Sequence, residues 1–441
     1  MPRGQTYEDF ALKIHPDGAG GYEVRLLASP YGAHDSKLAL PFAQDDLATL
    51  LTELEGAVRS SAMPTACEPA ELRHVRAAAG GQETRFSPRD FGAALFDALF
   101  QGSIRESYFA SRGRVDTHGE MGLRLRLVFD PESAVNPLVC SLPWELLYRK
   151  DAREFPARTL LFPVVRYLEV PRPRQPAPLP EKPRLLVAIA NPRDTPPLAL
   201  DAECSWIERA WAADASLEIE VLRHANPESL RQALRDGAWE MFHFIGHGDF
   251  DPATGAGRLL FESEDGHSRP VPGAVLAETL SCNRALRLAF LNACDTARLA
   301  RRAGVDPFTG VATALLMGGL PAVLAMQFPI ADATAARFSH AFYRAIAAGD
   351  PVDAAVSEGR LAIYQAEPES WEWATPVLFM SVADGRIFNR AQAQDRENAE
   401  AIETPHPEPD SSHSVTFHNQ IEASKGVVIG KDVHVGDFNF S

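Results

Sequence analysis

The sequence predicts an α/β protein: a doubly wound, mainly parallel sheet preceded by an α+β N-terminal region. Three observations carry this expectation. Beyond residue 184, short aliphatic runs alternate with amphipathic helical stretches, the order that produces parallel strands joined by helices. Before it, two strand-like runs, FALKIH and YEVRLLAS, flank a Gly-rich turn and lead into DDLATLLTELEGAV, whose leucines recur at three- and four-residue steps. Between the two regions lies PRPRQPAPLPEKPR (171–184), whose prolines read as an extended linker and a domain boundary.

The elements follow in order. Residues 87–112 read as one helix, with Ser87 as N-cap and Pro88 at the first helical position. LRLRLVFD alternates apolar and charged residues at the period of a half-buried strand. LPWELLY and the strand-like LLFPVVRYLEV close the first region, 1–170. The second region, 185–390, runs as strand LLVAIA, a helix around AECSWIERAWAA, strand LEIEVLR, helix PESLRQALRDG and strand EMFHFIG, which ends near Ile245. A hairpin over RLLFESEDGHSRPVP, helix AVLAETL and the apolar strand LRLAFLNA come next. Helix TGVATALLMGG, strand AVLAMQFPI, two further helices and strand PVLFMSV complete it. Residues 391–412 are polar and acidic, as a flexible linker would be, and 413–441 regain β character broken by glycines.

Composition narrows the function classes. The chain has 441 residues, 45% of them hydrophobic and 23% charged, so it has length and apolar content for sizeable cores. A formal net charge of −16 gives no electrostatic reason to expect nucleic acid or an anionic membrane as partner. The apolar stretch 310–326 is interrupted by Gly318, Gly319 and Pro321 and falls short of the ~20 residues of a spanning helix, so it reads as helix, turn and strand. The opening MPRGQTYEDF has no apolar signal segment, and the five cysteines contain no CxxC pair; both predict a cytoplasmic protein with reduced thiols. No P-loop, HExxH or GxSxG occurs, and neither a cofactor nor a metal is expected.

In an open parallel sheet, ligands bind beyond the carboxyl ends of the strands. His247 follows one such strand in FHFIGHGDF, between two glycines, and Cys294 stands at the end of the next apolar strand in LAFLNACDT. If those strands are neighbours, an imidazole and a thiol emerge on one rim, a pairing suited to nucleophilic catalysis. The backbone N–H groups of Gly248 and Cys294 are candidates for an oxyanion hole. Taken alone, Cys294 would read as a small core residue. His243 lies about 13 Å from His247 along a strand, too far to share a metal, and reads as a satisfied core or supporting histidine. Cys67, Cys140, Cys204 and Cys282 read as structural cysteines.

FHFIGHGDF and LAFLNACDTA, followed by GVATALLMGGLPAVLAMQFPIAD and FSHAFYRAIAAGDPVDAAVSEGRLAI, resemble the CHAT family of caspase-like proteases, related to caspases and separases. The resemblance covers 185–390, extends back to about residue 120 and more loosely to the N-terminus. It implies a caspase-like fold, with His247 as general base, Cys294 as nucleophile and Gly248 supplying an oxyanion amide. Relatives often read Trp-x-Val-x-Asp after the next strand, lining the pocket for the residue before the cleaved bond. Here the segment reads Gln327-Phe328-Pro329-Ile330-Ala331-Asp332, so Gln327 and Asp332 are candidate substrate-binding residues, and Asp332 would favour a basic partner. The plainer reading of Asp332 is a helix N-cap.

By analogy, the chain is expected to be a cysteine endopeptidase with a protein substrate, such as a pore-forming or other effector, in bacterial defence or regulated cell death, activated by oligomerisation or a partner. The alternative is a non-catalytic caspase-like signalling scaffold; acyl transfer on a small molecule would use the same dyad. In the tail, VVIG and VHVG resemble short β-forming assembly motifs, including RIP homotypic interaction motifs, although without their Gln. Residues 413–441 are accordingly expected either to self-assemble or meet an upstream sensor, or to dock on the body of the same protein.

Overall fold

Why the two regions share one sheet is visible from the strand pairing. A computed structural model describes residues 6–389 apart from 18, 20, 30, 33, 42–46, 63–86, 119–120, 131–136, 172, 197, 199–216, 252, 255 and 296–306; for 47–48, 59–62, 118, 137–138, 293–295 and 307–309 it describes the backbone. The elements are β1 (Thr6–Pro16), β2 (Tyr22–Ala28), β3 (Asp35–Leu38), α1 (Leu47–Ala62), α2 (Pro88–Leu99), α3 (Gly102–His118), β4 (Met121–Phe129), β5 (Val164–Leu168), β6 (Ala177–Pro178), β7 (Arg184–Ile189) and β8 (Glu218–Leu222). They continue with α4 (Pro227–Asp236), β9 (Met241–Phe250), β10 (Gly257–Glu262), β11 (Ser268–Pro272), α5 (Gly273–Ser281), β12 (Leu288–Asp295), α6 (Pro307–Met317), β13 (Ala322–Met326), α7 (Asp332–Ala347), α8 (Val352–Ala366), β14 (Pro376–Met380) and β15 (Phe388–Asn389). Among the described residues, thirteen strands form one sheet in the order β11-β10-β9-β12-β13-β14-β5-β4-β1-β2-β3, with β7 pairing both β8 and β9. Most pairings are parallel; β13·β14, β9·β10, β10·β11, β1·β2 and β2·β3 are antiparallel.

The doubly wound expectation holds. On one face of the sheet, Leu185, Val187, Met241, Ile245, Leu288, Phe290 and Leu324 pack under Phe338, Phe342 and Ile346 of α7 and Val356 and Ile363 of α8. On the other, Leu186, Ala188, Phe242, Phe244, Ala289, Leu291 and Val323 meet Leu230 and Leu234 of α4, Leu276 and Leu280 of α5 and Val311 and Leu315 of α6. Near-continuous aliphatic strands are what a sheet covered on both faces requires. The 310–326 stretch divides as expected into α6, a turn with Gly319 at φ +95°, and β13.

Several local expectations change. The Pro-rich segment 171–184 does not separate two sheets: β14 pairs in parallel with β5, at Phe379↔Arg166 and Met380↔Tyr167. The segment runs along the body instead. Its Arg174 donates to the carbonyls of Ser281, Asn283 and Leu286, and β6 pairs with β15. Met1–Ala391 forms one compact unit.

LRLRLVFD becomes β4, an interior strand between β1 and β5 rather than a half-buried one. Its arginines are tolerated there because they are paired: Arg124 with Asp353 at 2.5 Å and Asp9 at 3.1 Å, Arg126 with Asp9 at 2.7 Å. The helix expected over 87–112 is two, broken where Gly102 takes φ +49°; Ser87 does cap the first, accepting from the Arg89 amide. Cys67, Cys204, the helix around AECSWIERAWAA, the linker 391–412 and the tail 413–441 lie outside the described residues. No helix among the described residues is long and apolar enough to cross a membrane.

Candidate active site

β9 and β12 are parallel neighbours, in register from Leu288↔Met241 to Asp295↔Gly248. Within that ladder the Cα of Cys294 stands opposite the Cα of His247. Since residues in register across a parallel pair lie on the same side of the pleat, both positions belong to the face that α7 and α8 cover. His247 is not beyond its strand, as the sequence suggests. β9 continues to Phe250, because its last residues exchange β7 for β10 as a partner, with Leu260 opposite His247 and Leu259 opposite Gly248.

The glycine before the histidine has a steric role. A Cβ at Gly246 would stand 2.5 Å from the Phe244 ring and 3.1 Å from the carbonyl oxygen of Ala190. Only a residue without a side chain lets β9 pass there.

His247 is 2% exposed, and its Nε2 lies 2.9 Å from the carbonyl oxygen of Pro196. A carbonyl can only accept, so Nε2 carries a proton, and in the neutral ring Nδ1 is the nitrogen able to take one up. Pro196 sits in the loop after β7, which is fastened at several points. The Asn191 amide donates to Glu262, the Leu198 amide to the Asn191 side chain, and Ser268 donates to Asp194 from both its amide and its hydroxyl. The loop is thereby tied to the β10–β11 hairpin that also pairs with the His247 strand.

Beside this rim is a small cavity of about 10 Å³, lined by Leu198, Ile245, Gly246, Asn292, Ile330, Asp332 and Ala335. Its wall therefore comes within one residue of His247 and two of Cys294. Asp332 is the first residue of α7, whose N-cap is Ala331, so it is not the cap. Partial burial holds its carboxyl above the ordinary aspartate range. Gln327 does not line the cavity. It is 6% exposed, its Nε2 donating to Glu145 at 3.0 Å and to the Ala374 carbonyl at 2.7 Å, while its Oε1 accepts from Arg166 at 3.1 Å. That places its amide in a buried polar cluster, with Arg166 donating to Glu145 and to the carbonyls of Cys140 and Leu142.

His243 is a core residue, but not a satisfied one. It stacks on Phe290 with ring centroids 4.2 Å apart, and neither ring nitrogen has a hydrogen-bond partner among the described residues. Burial pulls its pKa down to about 3. Cys140 is buried, its thiol pushed up to about 12, and Cys282 is exposed. No group of three or more His, Cys, Asp or Glu with metal-binding geometry occurs among the described residues.

Three contributors were not legible in the sequence. The Pro196 carbonyl is a backbone group, and its role depends on a contact across 51 residues. Asn292 lies within LAFLNACDT, where nothing sets it apart as a wall of the cavity, and Glu372 acts through a tertiary contact.

The model of the CHAT domain matches residues 89–383, two-thirds of the sequence and both sides of the Pro-rich segment. The chain belongs to the CHAT-domain family. CHAT domains have the fold of caspase-like proteases, and the matched span runs from α2 to the end of β14, so β4 and β5 are part of the family unit. Two crystal structures of the Saccharomyces cerevisiae separase–securin complex, at 3.0 and 2.6 Å resolution, are similar to this CHAT protein at 12% identity, with TM-scores of 0.42 and 0.41. Each alignment covers 85% of this chain and 30% of the matched one, so the chain spans less than a third of those solved chains. No curated protein matches the sequence.

Proposed function

We propose that this CHAT protein is a cysteine endopeptidase in which His247 is the general base and Cys294 the nucleophile. The observation that carries the reading is the register setting the Cα of Cys294 against that of His247, on a histidine whose Nε2 proton is held by Pro196. In this scheme Nδ1 of His247 takes the thiol proton, and the thiolate adds to the carbonyl carbon of the scissile peptide bond. The amides of Gly248 and Cys294 stabilise the oxyanion. As the tetrahedral intermediate collapses, the carbon–nitrogen bond breaks and the imidazolium returns its proton to the departing amine. Water, deprotonated by the same histidine, then cleaves the thioester and restores the thiol.

Asp332 is the residue we assign to substrate recognition. A carboxylate on the cavity wall next to the dyad favours a lysine or arginine before the scissile bond. A cavity of about 10 Å³ admits no more than a water, so a basic side chain enters only when the walls part. Such closure fits a protease activated by oligomerisation or a partner and acting on a dedicated protein substrate. A role in bacterial defence or regulated cell death, with residues 413–441 as the recruiting segment, rests on family analogy.

Covalent labelling tests the dyad. The protein is treated with peptidyl acyloxymethyl ketones bearing arginine, glutamine or leucine next to the warhead, and the adduct is mapped by mass spectrometry. Arginine-selective labelling of Cys294 that is lost in His247→Ala is expected. Equal labelling with and without His247, or no selective labelling, contradicts the protease and leaves the scaffold reading.

A further inference from the structure

Residues 327–332 connect the end of β13 to the start of α7 and bring Asp332 to the cavity. Both ends of this connection are gripped from elsewhere in the chain. At the start, Gln327 is held through its side chain by Glu145, Arg166 and the Ala374 carbonyl, and through its amide by the Thr375 carbonyl at 3.0 Å. At the other end, α7 lacks a capping side chain, because Ala331 occupies the N-cap position. A helix start without a cap leaves backbone donors to be satisfied by something else.

Glu372 supplies the acceptor. Its Oε1 accepts the Ala331 amide at 2.6 Å. Glu372 is 2% exposed, so water does not compete for this bond. The Glu372 amide is itself bonded to the Ser370 hydroxyl at 3.2 Å within the turn before β14. The capped residue, Ala331, immediately precedes Asp332. An anchor there, with Gln327 held at the other end of the connection, leaves Asp332 little freedom to turn from the cavity.

We propose that Glu372 is a positioning residue that holds Asp332 toward the substrate and thereby sets the preference for a basic residue before the scissile bond. This rests on the assignment of Asp332 to substrate recognition. Glu372 touches neither substrate nor the dyad; it acts through the first turn of α7.

The test compares kcat/KM for a peptide with arginine before the scissile bond against the same peptide with citrulline, which keeps the shape and removes the charge. Glu372→Ala is expected to lower the arginine-over-citrulline ratio about tenfold, mainly through KM. Glu372→Gln, whose amide oxygen can still accept from Ala331, should restore most of it. Should Glu372→Ala not fold, Glu372→Asp replaces it: the charge is kept while the acceptor retreats by about one bond length, and the same fall is expected.

An unchanged ratio in Glu372→Ala or Glu372→Asp, with the ratio lost in Asp332→Asn, overturns the positioning role and leaves the pocket assignment standing. An unchanged ratio in Asp332→Asn overturns the pocket assignment, and the role of Glu372 with it.

Discussion

His243 offers a stability test that does not depend on catalysis. Its imidazole is fully buried between Phe290 and the α7 side chains, with no hydrogen-bond partner among the described residues for either nitrogen. A protonated ring has no place there, and the folded pKa is about 3 against an ordinary 6.5. Because the folded value is depressed, the unfolded chain takes up the proton first. The stability associated with neutral His243 is therefore complete above pH 6.5 and is lost as pH falls toward 3. Each pH unit in that window costs about 1.4 kcal/mol, so the loss reaches about 2 kcal/mol at pH 5.

His243→Phe removes the titration and keeps a flat ring to stack on Phe290. At pH 7.5 it should stabilise the protein by about 1 kcal/mol, since unpaired polar atoms leave the core. Urea unfolding at pH 7.5, 6.5, 5.5 and 5.0, followed by tryptophan fluorescence, provides the comparison, with Trp144, Trp239 and Trp373 all buried. Other groups titrate in both proteins, so the difference between the two pH profiles isolates this ring. Parallel profiles from pH 7.5 to 5.0 would refute the reasoning, as would a less stable variant at pH 7.5.

Other predictions concern the frame around the site. Gly246→Ala, with a Cβ 2.5 Å from the Phe244 ring and 3.1 Å from a backbone carbonyl, should displace β9 and destabilise the protein by about 1–3 kcal/mol, measurable as a lower Tm together with lost labelling of Cys294. Asp353→Ala leaves the Arg124 guanidinium buried with Asp9 as its remaining carboxylate partner, at a cost of about 3–5 kcal/mol in urea unfolding; the double change with Arg124→Met should recover most of it. With iodoacetamide on the folded protein, Cys282 should react and Cys140 should not, because burial pushes the Cys140 thiol up to about 12; peptide mapping before and after denaturation reads both.

The parts legible in the sequence are those governed by local chemistry. Ser87 before Pro88, and the Pro227 that opens PESLRQALRDG, mark helix starts that the structure places where expected. Aliphatic runs such as LAFLNA report strands covered on both faces wherever the neighbours are helices. Misreadings arise where a distant partner decides. Arg124 and Arg126 look like the solvent face of β4 until Asp353 and Asp9, far away in sequence, are seen to neutralise them. The prolines of 171–184 look like an extended linker, but Arg174 finds three carbonyls at the end of α5 and in the turn after it.

The candidate site divides in the same way. Glycines around His247 and the apolar run before Cys294 pointed to two strands, and the register joins their Cα atoms. The motif places Gln327 on the pocket; the Glu145–Arg166 pair draws its amide into the core instead. Glu145 lies in LPWELLY, where nothing in the local sequence marks it as a partner of Gln327. The Pro196 carbonyl and Glu372 were invisible because neither contact follows from any spacing along the chain.

The central claim is that this CHAT protein cleaves peptide bonds with Cys294. The most direct measurement is to incubate the wild-type protein and Cys294→Ala with a denatured protein mixture, at dilute and at high enzyme concentration, and to identify new N-termini by mass spectrometry. The account predicts new termini that follow lysine or arginine and appear only with the wild-type protein. Identical terminus sets from the two proteins at both concentrations would contradict it.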